Sequence, residues 1–160
     1  MNRGCLVALC VGIGFLMLSI WGTGAFFAAE YHVDEAPVSR HELSAAACRY
    51  IPEGAQNVWR AWYYCGQVSD HYLRFDMPVE RMGEIESWLL GGKEEVRDLK
   101  KTDVVGELPE WQIRDVAQPD WWQVAKDAKG VRYQFFRGRD YVSVLVLPAE
   151  RRVWLVYFKV

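Results

Sequence analysis

Positive charge is not in excess in this chain. Its 160 residues hold 19 Lys and Arg against 21 Asp and Glu, a formal net of −2. A nucleic-acid binder neutralises phosphates with a basic surface, so no nucleic-acid partner is expected. Glycine (13) and proline (6) are too few for a collagenous or low-complexity chain. With 51% apolar residues and nearly balanced charge, intrinsic disorder is excluded as well.

The motifs of common enzymes are also missing. No G-x-S-x-G is present, hence no nucleophile elbow. Residues 30–160 contain neither G-x-G-x-x-G nor G-x-x-x-x-G-K-[ST], hence no phosphate cradle. His41-Glu42 opens an H-E-x-x-H pattern, but Ala45 stands where the second His belongs. Only three His occur, at 32, 41 and 71. His32 with Asp34 and Glu35 is the one grouping with metal-ligand chemistry. It falls in a segment that reads as a mobile linker, where a site bears its own ordering entropy. No metal, cofactor or catalytic residue is assigned.

What the chain does have is an apolar front. No residue from Cys5 to Ala29 is charged, a run of 25 residues. As a helix this is about 37 Å long, enough to cross a ~30 Å hydrocarbon core. The expectation is a transmembrane anchor over residues 5–29, in contact with membrane lipid. Residues 1–4 with Arg3 would stay cytoplasmic and the rest would be extracytoplasmic. A cleaved signal peptide is the competing reading. It fits less well, because signal h-regions run about 7–15 residues.

Residues 30–38 read as a linker, and 39–160 as one extracytoplasmic α+β domain. Ser39 and Glu42 form a capping-box pattern before an Ala-rich helix to Arg49. Alternation over 57–65 and 68–75 predicts a hairpin. Pro78 opens a helix to Leu90, with Val79, Met82, Ile85 and Leu89 on one face. Residues 93–101, KEEVRDLKK, read as a solvated helical turn or two. Residues 131–137, 140–147 and 152–160 predict a three-stranded meander. The sum is an antiparallel sheet of about five strands against one or two helices. The last strand is apolar on both faces and should be the best buried.

Cys48 and Cys65 form an even pair in the exported part, so a disulfide is expected, worth about 3 kcal/mol. Trp121 and Trp122 follow Pro119-Asp120 in an irregular stretch. They are the candidate binding residues, because an exposed Trp can anchor a partner or stack on a sugar. The functional expectation is a non-catalytic binding role toward an envelope protein or an envelope polymer. A small hydrolase is the alternative. Its carboxylate site would use Glu86, at the edge of the apolar helix face, or Asp70 with His71. A third reading is an accessory subunit of a membrane complex, with Gly12 and Gly14 at a helix contact.

Overall fold

A computed structural model describes residues 29–43, 45–65, 68–91, 95–113 and 116–159. Its core is one antiparallel sheet of seven strands: β1 (Glu30–Val33), β2 (Gln56–Cys65), β3 (Val68–Asp76), β4 (Val96–Val105), β5 (Lys129–Arg137), β6 (Asp140–Leu147) and β7 (Arg152–Lys159). The order across the sheet is β1-β2-β3-β7-β6-β5-β4. Two runs of consecutive antiparallel strands, β1-β2-β3 and β4-β5-β6-β7, therefore meet where β3 pairs with β7. In the register, Leu73 lies opposite Leu155 and His71 opposite Tyr157.

Successive residues of a strand point to opposite faces, so the sheet has two cores. Leu73, Phe75, Phe135, Val142, Val144, Val153 and Leu155 line the first face. It is covered by residues 40–51, including α1 (Ala45–Cys48), and by α2 (Ile85–Leu90) with the 3-10 turn Val79–Glu84 before it. Ala61, Tyr72, Leu145, Trp154 and Val156 line the second face. Its cover is irregular: residues 106–128, the β4–β5 connection, carry Ile113 and Trp122 onto it. Gly106 starts this connection at φ +64, and a Cβ there would run into the Lys126 carbonyl. Its amide donates to the Ala128 carbonyl at 2.9 Å, which closes the base of the loop.

Several expectations are corrected here. The α+β plan of about five strands gives way to seven strands and only short helices. The Ala-rich segment is one 3-10 turn (Arg40–Glu42) and one α turn. Its capping box is nonetheless made, with the Ser39 amide and hydroxyl both donating to Glu42, at 2.6 and 2.8 Å. The stripe helix is α only from Ile85 to Leu90, and Val79 is 63% exposed. Of the expected solvated helix over 93–101, residues 96–101 are instead the start of β4.

Residues 30–33 form β1, and Asp34 after it is buried against the Arg60 guanidinium, which donates to it at 3.1 Å. Among the described residues, no helix is long and apolar enough to cross a membrane. The expected span 5–29 lies outside those residues save for Ala29, so the single-pass membrane placement has no support in the structure. Cys48 and Cys65 are not joined. Cys48 lines a recess of about 260 Å³ with Ile51, Met77, Ile85 and Trp88. Met77 follows the end of β3 where Asp76 pairs with Gln56, whereas Cys65 pairs with Val68 at the opposite end of the hairpin. The ten residues of β2, about 30 Å of strand, separate the two ends.

Candidate functional site

The two Trp residues singled out above are packed into the loop that covers the second face. Trp122 is fully buried, and its indole N–H donates to the Pro109 carbonyl at 3.3 Å. Trp121 is half-buried and stacks on Trp59, with ring centroids 6.0 Å apart. Trp111 and Tyr72 complete the cluster, 4.6 Å from one another. The Tyr72 hydroxyl accepts the Gln112 amide proton at 3.0 Å, pinning the loop to the sheet. Trp122 has no surface to offer a partner. These rings serve to seat an irregular segment that has few backbone hydrogen bonds of its own.

The carboxylates singled out by sequence are also dispersed. Glu86 accepts from Lys101 at 2.6 Å and from the Tyr133 hydroxyl at 3.0 Å. These two bonds hold its carboxyl below the usual range, the opposite of what a general acid needs. Asp70 and His71 are neighbours on β3 and point to opposite faces, so they form no dyad. His32 lies 2.6 Å from Asp34, which is already held by Arg60.

His71 lies flat against Tyr157, with centroids 4.4 Å apart and planes within 6°. Burial, with Lys159 adding to it, lowers its pKa to about 4, against the opposing pull of Asp140. In the unfolded chain the same imidazole titrates near 6.5. Between those values the unfolded state holds the extra proton. The stability from neutral His71 is complete above about pH 6.5 and is lost as pH falls toward about 4, on the order of 2 kcal/mol. Asp70 acts with the opposite sign and at lower pH, since burial raises its pKa. The expected result is a pH slope in the urea midpoint of the native protein that flattens in His71→Gln. Equal slopes in the two proteins would refute it.

The feature that sequence reasoning missed is a row of side chains across the second face. The strand registers place Tyr31 opposite Tyr63, Tyr63 opposite Asp70, Asp70 opposite Phe158, Phe158 opposite Tyr141 and Tyr141 opposite Phe136. Arg97 on β4 ends the row beside Phe136. At ~4.8 Å per strand, the row runs about 29 Å from one sheet edge to the other. Tyr141 and Phe158 are 5.9 Å apart and nearly parallel, and Phe136 meets Tyr141 edge-on at 5.4 Å. No residue of the row is fully buried, and Tyr31 is 61% exposed.

The cover reaches the adjacent positions and stops there. Leu108, Pro109 and Gln112 wall a groove of about 300 Å³ whose floor includes Gln134, Tyr141, Ser143 and Phe158. Gln134 donates to the Tyr141 hydroxyl at 2.8 Å. The row thus combines aromatic rings, one carboxylate and a shallow walled groove, with no nucleophile and base in hydrogen-bond contact. Such an arrangement offers ring contacts and one negative charge, and no bond-making chemistry. Each strand contributes one residue, so only the register assembles the row.

No family model matches this chain, and neither a curated protein nor a solved structure matches it.

Proposed function

We propose that the domain is a non-catalytic binding module and that the row on the second face is its docking surface. One observation carries this: the connection over residues 106–128 covers the second face but leaves partly exposed a continuous line from Tyr31 to Phe136. Large half-exposed rings along one line are the composition of interface anchors, since they bury much area at little rotamer cost. The partner is a protein segment. At ~3.3 Å per residue, the line of about 29 Å matches an extended segment of about nine residues, whose side chains can meet the rings in turn. The separation of Glu86, Asp70 and His71 described above supports a non-catalytic role.

Site-specific photocross-linking tests the proposal. A benzophenone amino acid at position 141 should yield adducts with a defined partner in the cells that produce the protein. The same group at Val79, more open to solvent on the 3-10 turn, should not. Equal labelling at both positions, or none at 141, would overturn it.

A further inference from the structure

We infer that Asp70 and its two aromatic neighbours receive a positively charged group, the ammonium or guanidinium of a Lys or Arg on the partner's segment. This rests on the docking surface proposed above and names the chemistry it recognises. Asp34, Asp76 and Asp140 are the other acids embedded in the sheet, and each is held: by Arg60, by Arg74, and by Tyr50 with Arg49. Asp70 makes no hydrogen bond or ion pair among the described residues. Burial acts on it without compensation. A half-desolvated carboxylate left unpaired is unfavourable in the isolated fold.

Among the described residues, none brings a counter-ion to this point. Arg97 ends the same row four strands away, about 19 Å at the sheet spacing. Lys159 follows Phe158 on β7 and so points to the other face. Arg74 shares the face of Asp70 but is engaged with Asp76. What does flank Asp70 is aromatic: Tyr63 directly opposite on β2 and Phe158 directly opposite on β7. Paired residues across a ladder have Cβ atoms about 4.5–5.5 Å apart. A cation set over Asp70 is therefore within reach of both rings, whose π faces attract it. A metal ion does not suit the place, since one carboxylate between two rings lacks the six or more oxygen ligands that calcium takes. An organic cation needs only the charge and the rings.

The test titrates the full-length protein with a hexalysine peptide, followed residue by residue by NMR. The peptide should shift the signals of Tyr63, Asp70 and Phe158. Asp70→Asn should bind it about tenfold more weakly. Asp103→Asn removes the same charge from exposed β4 and should bind as the native protein does. The same peptide with its amines acetylated should leave the three signals unmoved. Asp70→Asn loses no internal hydrogen bond, so its melting temperature should be no lower than native, which separates lost binding from lost fold. Equal hexalysine affinity in Asp70→Asn and the native protein, or equal binding of the acetylated peptide, overturns the inference. If cross-links at position 141 persist in that case, only the cation assignment fails. If those cross-links are absent while hexalysine binding still depends on Asp70, the docking surface fails and the cation site stands.

Discussion

Deleting Val153–Val160 is expected to leave no folded domain. β7 lies between β3 and β6, and its pairing with β3 joins the two halves of the sheet. Val153, Trp154, Leu155 and Val156 are all fully buried, alternately in the first and the second core. Their loss removes the pairing of β3 and of β6 at once. It also strips two hydrophobic cores of their central rows, at about 1.5–3 kcal/mol for each large side chain. That total, added to the lost strand pairing, is comparable to the whole ~5–15 kcal/mol by which such a domain is stable. The shortened chain should show no cooperative thermal transition and no dispersed amide spectrum. A deletion of residues 30–38 provides the contrast. It removes an edge strand with a single neighbour and the Asp34–Arg60 pair, so the transition should survive at a lower temperature. A cooperative transition in the first deletion would mean that the halves fold independently, and the role given to β7 would be wrong.

That role was legible from the residues, because a strand apolar on both faces has to be covered on both. The hairpin and the final meander were legible for a related reason, with clear turn signals at Gly66, Gly138 and Pro148. The two edge strands were not. β4 reads VRDLKKTDVV and is exposed along nearly its whole length, so neither face shows an apolar alternation. Its charges and the bulge at Asp98 (φ +56) protect an open edge, and such protection looks like a solvated helix in sequence. β1 is four residues long and was lost in a polar stretch. With neither edge strand marked by an apolar alternation, the sequence pattern accounts for five of the seven strands and overstates the short helices. The row across the second face was unreadable for a deeper reason. Its members are spread from Tyr31 to Phe158, and no local pattern links them until the β3–β7 pairing is known.

The turn between β5 and β6 shows how a polar signal can hide a structural anchor. Arg137-Gly138-Arg139-Asp140 has the composition of a solvated turn, yet Arg137 and Asp140 are each only 5% exposed. Asp140 accepts from the Tyr50 hydroxyl at 2.8 Å and from the Arg49 guanidinium. Tyr50 in turn stacks on Tyr157 at 4.4 Å, beneath the Arg137 guanidinium. One carboxylate therefore ties the covering segment 40–51 to β6 and β7. Replacing Asp140 by Ala leaves the buried Tyr50 hydroxyl without this acceptor and a cationic cluster without its acid. The expected loss is about 3 kcal/mol in urea unfolding. Tyr50→Phe removes one hydrogen bond while the rings and the ion pair remain, so about 1 kcal/mol is expected. Arg49 is partly in water and can turn toward solvent when its acid is gone. In Arg49→Ala the loss should therefore fall between the other two. If Asp140→Ala costs no more than Tyr50→Phe, the carboxylate is not the tie. The ring stack of Tyr50 on Tyr157 would then be what fastens the covering segment to the sheet.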